Sequence, residues 1–171
     1  AIECHSCGEM GENKMCMCTI PFFKELIIIC FKCDKCGFKT VEVKGGGGFS
    51  PLGKKITFRC EKPGDLSRDM FKSETAKITI PELGFETDTG SLGSMFTTVE
   101  GVIMKIIENL ENVPFSKGDS KEDETMESFI QRMKDLVEKD LKFTVIMDDP
   151  ASNSFIFSPL FPEKDEQLDV V

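Results

Sequence analysis

Polar and apolar residues alternate over much of the chain after residue 54, which predicts short antiparallel strands. A period of two places every second side chain on the same face of a strand. The apolar positions of this alternation are Ile56, Phe58, Cys60, Ile78 and Ile80. A last strand is predicted from Phe143 to Met147. The pattern predicts a sandwich or barrel-like β core.

The apolar period changes after Thr97 from two to about 3.6 residues, which predicts two helices. The apolar face of the first helix consists of Val99, Val102, Ile103, Ile106, Ile107 and Leu110. Thr97 and Glu100 have capping-box spacing, so Thr97 is the predicted N-cap. A second helix is predicted from about Glu122 to Lys139, after a polar loop over residues 116–121. Its apolar face consists of Met126, Phe129, Ile130, Met133, Leu136 and Val137. We therefore expect a helical hairpin at about residues 97–140, inserted between strands.

The composition changes near the glycine run Gly45–Gly48. Seven of the eight cysteines precede this run. Residues 1–48 carry six Lys and six acidic residues, whereas residues 49–171 carry the whole net charge of −9. A run of glycines is flexible. We therefore expect a small cysteine-dependent module over residues 1–44 and a larger acidic domain over residues 45–171.

Two copies of the pattern C-x-x-C-G predict a zinc site in the small module. The four cysteines are Cys4, Cys7, Cys33 and Cys36, and each pair is followed by a glycine. Each pair can direct two sulfurs at one metal ion, and the glycine permits the tight turn. The apolar stretch from Phe22 to Lys32 is predicted to be a buried strand, and residues 39–43 a half-exposed one. These features predict a zinc ribbon with one structural Zn²⁺, because four thiolates leave no position for water or substrate.

Other roles for the cysteines and for His5 compete with this interpretation. A single C-x-x-C pair could be a redox site, but two C-x-x-C-G copies argue against it. His5 could replace a cysteine as a ligand, although a residue inside the knuckle normally points away from the metal. Cys16 and Cys18 could compete for metal from the connecting loop, and we expect them to be free thiols. Cys30 and Cys60 are expected in the core.

Charge and composition exclude several classes of function. The net charge of −9 argues against general nucleic-acid binding, which needs clustered basic residues. The single histidine excludes most histidine-based catalysis. The longest apolar run, Leu26–Phe31, is six residues, whereas a membrane span needs about 20. The crowding of the cysteines and the lack of Asn-x-Ser/Thr sequons favour a reducing, intracellular setting over a disulfide scaffold.

Two segments resemble catalytic motifs but lack their essential features. Residues 48–54 match G-x-x-x-x-G-K, the start of a phosphate-binding loop. Lys55 stands where such a loop needs Ser or Thr, and a strand is predicted where it needs a helix. Asp148 and Asp149 are adjacent, so on a strand they point to opposite faces and make a poor acid–base pair. They are interpreted as part of a turn in which side chains accept hydrogen bonds from backbone amides. We expect no enzymatic activity.

The chain resembles the ZPR-type zinc-finger proteins in a series of ordered motifs. Besides the two knuckles, the matching stretches are residues 20–25, 43–53, 72–75 (Lys-Ser-Glu-Thr), 80–83, 96–101 and 147–155. Members of this family carry two tandem copies of a zinc finger followed by an "A domain". The stretches at 51–53 and 72–75 are more similar to the second copy, so the chain is expected to be the C-terminal half. Ser152 departs from the family, which usually has Gly there, and this puts the local turn geometry in question.

The resemblance implies a fold and a function. The A domain of the family is a double-stranded β-helix with a helical hairpin, so we expect a mainly β fold with an inserted helical hairpin. The family binds translation elongation factor one-alpha and assists its folding. It is also linked to the cytoplasmic domain of growth-factor receptor tyrosine kinases and to both cytoplasm and nucleus.

Two hypotheses for the function follow. The first is a non-catalytic chaperone module that binds elongation factor one-alpha, preferentially in its GDP-bound or immature form. The alternative is a nucleic-acid-binding zinc ribbon of the transcription or translation machinery. Its basic face would have to come from Lys14, Lys24, Lys32, Lys35, Lys39 and Lys44. Candidate partner-binding loops are Gly45–Gly53 and Asp148–Asn153.

Overall fold

The computed structural model describes residues 1–21, 25–48, 50–112, 121–139 and 141–171, and for residues 121–125 the backbone alone. In this part of the chain there are twelve β-strands and two α-helices. They form two compact units, Ala1–Pro51 and Leu52–Val171. The first unit extends past residue 44 because the last ribbon strand runs to Gly45, and Gly46 N–H then donates to the Glu25 carbonyl.

The first unit is an antiparallel sheet with the order β1-β2-β3-β4. Its strands are β1 (Ile2–Glu3), β2 (Met10–Thr19), β3 (Glu25–Lys32) and β4 (Lys39–Gly45). The prediction of a loop around Cys16 and Cys18 is wrong, since both lie in β2 and pair with Ile28 and Leu26 of β3. The predicted buried strand is β3, but only two of its eight side chains are buried and four are half-buried, because the sheet is small. Residues 22–24 of that prediction lie outside the described residues.

The second unit is built from two antiparallel sheets. The strands are β5 (Lys54–Cys60), β6 (Asp69–Lys72), β7 (Lys77–Ile80), β8 (Phe85–Glu86), β9 (Met95–Thr98), β10 (Phe143–Asp149), β11 (Phe155–Ile156) and β12 (Leu168–Val170). One sheet has the order β12-β5-β10-β7-β8 and the other the order β11-β6-β9. The predicted alternation is confirmed in β5, where Ile56, Phe58 and Cys60 are all buried. Short 3-10 turns at Pro63–Ser67 and Pro81–Leu83 connect the strands.

The two helices follow β9 and complete the core. They are α1 (Val99–Glu111) and α2 (Lys121–Glu138). The apolar face of α1 and Met133 and Leu136 of α2 are buried in one hydrophobic cluster with the strands. The helical hairpin is therefore a packing element, as its apolar faces predicted. The predicted linking loop lies almost wholly outside the described residues.

The cap of α1 differs by one residue from the prediction. Thr98, not Thr97, is the N-cap, and its hydroxyl accepts a hydrogen bond from Gly101 N–H at 3.1 Å. Thr98 is the last residue of β9, whereas Thr97 lies one residue earlier in that strand, where it pairs with Met70. Capping-box spacing alone could not distinguish two adjacent threonines.

Neither described helix is both long enough and apolar enough to cross a membrane.

Candidate metal centre

Four cysteine sulfurs converge at one end of the ribbon. The Sγ atoms of Cys4, Cys7, Cys33 and Cys36 all lie within 4.8 Å of one another. The Sγ atoms of Cys4 and Cys36 are 3.7 Å apart, as are those of Cys7 and Cys33. A tetrahedral site with metal–sulfur bonds of about 2.3 Å has sulfur–sulfur edges of about 3.8 Å. The observed spacing therefore fits one zinc ion.

The backbone of each knuckle is closed by an equivalent hydrogen bond, which places its two sulfurs. Gly8 N–H donates to the Cys4 carbonyl at 2.8 Å, and Gly37 N–H donates to the Cys33 carbonyl at 3.0 Å. Gly8 and Gly37 have φ angles of +74° and +77°, in the region that favours glycine. The glycine of each C-x-x-C-G copy is thus required by the turn.

The electrostatics of the site favour a bound cation. The pKa of Cys36 is lowered to about 7, first by a backbone hydrogen bond from Phe38 and then by bonds from the other thiols. A hydrogen bond from the backbone of Glu9 lowers the pKa of Cys7. Desolvation and the neighbouring thiols outweigh this bond and raise the pKa of Cys7 to about 12. Four adjacent thiols cannot all ionise without a positive charge between them. A divalent cation supplies that charge, and four thiolates complete its coordination sphere.

The remaining cysteines and His5 lie outside this cluster. Cys16 and Cys18 are exposed on β2, and Cys30 is half-buried on β3 rather than in the core. Cys60 is buried in the second unit, as predicted. The exposed His5 is not one of the residues that group around the candidate metal position.

The segment that resembles a phosphate-binding loop has another structure. Lys54 begins strand β5, and its Nζ donates to the Ser154 carbonyl at 3.2 Å. Gly53 lies against the 147–155 segment, since a Cβ there would be 3.3 Å from Pro150 Cα. The glycine thus permits a close backbone approach, and this part of the candidate loop Gly45–Gly53 is explained by packing.

Asp148 and Asp149 point to opposite faces of β10, as expected for adjacent strand residues. Asp148 is exposed, whereas Asp149 is completely buried. The Asp149 carboxylate accepts backbone hydrogen bonds from the turn that follows it, donated by Ala151, Asn153 and Ser154 at 2.7–3.0 Å. The predicted turn chemistry is confirmed, and it explains the loop Asp148–Asn153.

Asp149 also joins two of the stretches that carry the family resemblance. The hydroxyls of Ser73 and Thr75 donate to it at 2.9 and 2.7 Å, and the Ser154 hydroxyl donates at 2.6 Å. Burial alone would raise the pKa of Asp149, but these bonds from Ser154, Thr75 and Ser73 outweigh it and hold the pKa at about 2. The carboxylate is fully satisfied and enclosed, so its role is structural.

Lys72 is a second buried charge near this network. Its side chain is completely buried, and Nζ donates to the carbonyls of Ser73 and Gly93, each at 3.0 Å. Burial lowers the pKa of Lys72, and the charges of Asp149 and Glu74 oppose that shift. Ser73 and Thr75 of the Lys-Ser-Glu-Thr stretch therefore stabilise the turn after β10 by their bonds to Asp149, and Lys72 lies buried beside them.

Arg68 holds the C-terminal segment to the core, a role that the sequence analysis missed. Its guanidinium donates to Asp65 at 3.1 Å, to Gln167 at 3.1 Å and to Asp165. It also lies over the Phe58 ring, with Cζ 4.7 Å from the ring centroid. The sequence contains one signal for such a role. Arg68 is one of only three arginines among 21 basic residues, and arginine is the basic residue that suits buried ion pairs.

The fold and the four-sulfur site define a protein with a zinc ribbon and a jelly-roll domain, built mostly of β-strands with two helices. A jelly roll is a double-stranded β-helix, so the predicted fold class is confirmed. Residues 1–51 match the ZPR1 zinc-finger domain and residues 64–171 match the ZPR1 jelly-roll domain. The chain belongs to the ZPR1 family, and the resemblance drawn from its motifs is confirmed.

Relatives in eukaryotes and archaea align with most of this chain. The zinc finger protein ZPR1 of Bos taurus is 42% identical over 171 residues, covering 98% of this chain and 37% of that protein. The zinc finger chaperone zpr1 of Schizosaccharomyces pombe is 39% identical over the same shares of both chains. An uncharacterized ZPR1-like protein of Methanocaldococcus jannaschii is 29% identical over 158 residues, covering 91% of this chain and 79% of that protein. The chain thus spans a little over a third of the length of these two eukaryotic relatives.

Proposed function

We propose that the chain is a non-catalytic chaperone module that binds translation elongation factor one-alpha and assists its folding, in the cytoplasm and nucleus. The observation that carries this proposal is membership of the ZPR1 family over both domains. A family member in Schizosaccharomyces pombe is named a zinc finger chaperone, and it aligns with 98% of this chain.

The chemistry of the described residues supports a binding role rather than catalysis. The four thiols that can hold zinc leave no coordination position for a substrate. The most strongly perturbed carboxylate, Asp149, is buried and engaged by its own turn. A zinc ion bound in this way acts by holding the ribbon strands in place.

The charges of the ribbon favour a protein partner over a nucleic acid. Four of its lysines lie in ion pairs with acidic side chains of the same unit: Lys14 with Glu12, Lys32 with Asp34, Lys35 with Glu9 and Lys44 with Glu42. Lys24 lies outside the described residues. The carboxylate beside each of these lysines repels phosphate, so this surface lacks the clustered positive charge that nucleic-acid binding needs.

Direct binding to the purified factor tests the proposal. The zinc-loaded chain is immobilised and incubated with elongation factor one-alpha in three states: with GDP, with a GTP analogue and without nucleotide. We expect retention, strongest for the GDP-bound or nucleotide-free factor. Cys16→Ser should bind as the wild type does, whereas Cys33→Ser should lose both zinc and binding. Absence of retention in every nucleotide state would contradict the proposal, and a salt-dependent shift of RNA or DNA would favour the alternative.

A further inference from the structure

A cavity of about 240 Å³ opens on one face of the ribbon sheet, apart from the four sulfurs. The strand register explains which side chains line it. Asn13 of β2 lies opposite Phe31 of β3, and Phe31 lies opposite Thr40 of β4. Ile29 and Glu42 form the next pair along the same face. Directly paired residues of an antiparallel sheet project to the same side, so these side chains share one surface.

The floor of the cavity is preformed. Phe31 is only 9% exposed and packs in a cluster with the metal-site residues Cys4 and Cys33. Its ring also contacts that of Phe38, with centroids 6.2 Å apart. Gly11 leaves room for the ring, because a Cβ at that position would be 2.3 Å from Phe31 Cζ. The position of the Phe31 ring therefore depends on the zinc knuckles being folded.

The cavity contains an acceptor that lacks a donor. Among the residues that the structure describes, Asn13 Oδ1 is buried and has no hydrogen-bond partner. A buried acceptor without a partner costs about 1–3 kcal/mol. The Asn13 side chain lines the cavity, so its rotation would expose Oδ1 to an N–H donor placed there, and that hydrogen bond would remove this cost.

The carboxylates of the cavity favour a cation. Among the described residues that line it, Glu3, His5 and Glu42 are the ionisable ones, and two of these three are carboxylates. Glu42 pairs with Lys44 at 3.3 Å, but both side chains are more than half exposed, so this ion pair is weak and exchangeable. Ile2 and Ile29 add an apolar surface beside the carboxylates.

We propose that this cavity binds an arginine side chain of a partner polypeptide. A volume of about 240 Å³ is below the ~300–1,000 Å³ of cofactor and drug-sized sites, so it suits a single side chain. The aliphatic stem of arginine can pack along Ile29 and Phe31 while the head group reaches the carboxylates. A guanidinium has five donors in a plane and can bond Asn13 and a carboxylate together, whereas an ammonium is a point charge. The proposal does not depend on which protein supplies the arginine.

An NMR titration of the zinc-loaded full chain tests this assignment. The probes are Nα-acetyl-arginine amide, the lysine analogue and the citrulline analogue, which is an uncharged near-isostere of arginine. We expect the arginine amide to shift the side-chain amide of Asn13 and the backbone amides of β3 and β4 in a saturable way. The citrulline amide should bind at least about fivefold more weakly, which corresponds to the loss of one charged contact.

Two matched variants separate the cavity from general charge effects. Glu42→Gln removes a lining carboxylate and should weaken arginine binding by about three- to fivefold. Glu12→Gln makes the same charge change on the opposite face of β2 and should leave the affinity unchanged. Equal binding of citrulline and arginine, equal effects of the two variants, or shifts confined to the jelly-roll domain would overturn the proposal. None of these outcomes bears on whether the chain binds elongation factor one-alpha, which the retention experiment measures separately.

Discussion

Asp149 is the residue at which two distant parts of the chain meet. The alternation in β10 predicted that Asp148 and Asp149 face opposite ways, and turn chemistry predicted that a carboxylate would accept backbone amides. The sequence could not indicate that Ser73 and Thr75 would be further donors. Strand patterns define which face a residue occupies, but they do not define which strand is its neighbour.

The buried carboxylate makes the stability of the jelly-roll domain depend on pH. The pKa of Asp149 is about 2 in the folded chain and about 3.9 in an unfolded one, so the unfolded state takes up the proton first. Asp149 therefore contributes about 2 kcal/mol above pH 4, and this contribution is lost as the pH falls through 2. Urea unfolding at pH 6, 4 and 2.5, followed by methyl signals of buried jelly-roll isoleucines, measures the loss.

The variant Asp149→Asn isolates this effect from other acid-sensitive groups. It should cost about 3 kcal/mol at pH 6, because the amide NH₂ faces donors that need an acceptor. The difference between variant and wild type should shrink towards pH 2, where the wild-type carboxyl is also protonated. A difference that stays constant from pH 6 to 2.5 would show that the Asp149 charge is not what stabilises the turn.

Ser152 occupies a backbone conformation that suits glycine. Its φ of +56° is the one positive φ among the described non-glycine residues. This answers the question raised by the departure from the family, since the turn keeps its left-handed geometry with serine in place. Ser152→Gly should raise the free energy of unfolding by about 0.5–1 kcal/mol. Ser152→Val should lower it by more than that gain, because a β-branched residue fits this region poorly. Thermal unfolding of the wild type and the two variants measures their order of stability. A glycine variant less stable than the wild type would show that the backbone of Ser152 is not strained.

Removal of Arg68 should destabilise the jelly-roll domain strongly. Asp65 and Asp165 are buried, and Arg68→Ala would leave both without their cation. We expect a loss of about 3–5 kcal/mol. Arg132→Ala, on an exposed position of α2, is the matched control and should change stability by less than about 0.5 kcal/mol. Denaturant unfolding measures the free energy of unfolding of both variants. Similar losses in the two variants would mean that the C-terminal segment is held by other contacts.

At the level of whole elements, the strongly periodic segments were predicted and the ribbon strand β2 was missed. The predicted helix 122–139 corresponds to α2 with a shift of one residue at each end. In β2 the run Met15–Cys18 is continuously apolar, and its side chains are exposed on both faces. A strand held mainly by pairing with β3 and by a metal site has no reason to alternate, so its pattern carries little information.

Removal of zinc should unfold the ribbon selectively. Structural zinc contributes roughly 10–16 kcal/mol to small modules, which exceeds what the small cluster of Cys4, Phe31 and Cys33 can supply alone. The jelly-roll domain has its own large core and should persist. We therefore expect a chelator to abolish amide protection in residues 1–51 while residues 52–171 keep theirs, as hydrogen exchange would show.

Metal analysis of single variants tests the ligand assignment behind this prediction. The wild type and Cys16→Ser should each hold one zinc ion per chain, whereas Cys33→Ser should lose it. Full zinc occupancy in Cys33→Ser, together with loss in Cys16→Ser or Cys18→Ser, would show that the ligands are different.

For the whole molecule, the sequence indicated two domains, one metal and a family, because each depends on local spacing. The C-x-x-C-G copies define the ligands within two short turns, and the ordered motifs are spread along the chain from residue 4 to residue 155. The arginine cavity could not be predicted in this way, because its lining comes from residues as far apart as Glu3 and Glu42. Their proximity depends on the register of the four ribbon strands.

A refolding experiment measures whether the chain assists the folding of elongation factor one-alpha, as we propose. Chemically denatured factor is diluted into buffer with an equimolar amount of the zinc-loaded chain, and the recovered guanine-nucleotide binding is measured. We expect a clear gain in recovered factor with the wild-type chain and with Cys16→Ser, and none with Cys33→Ser. A yield equal to that of the Cys33→Ser variant or of an unrelated carrier protein would contradict the proposal.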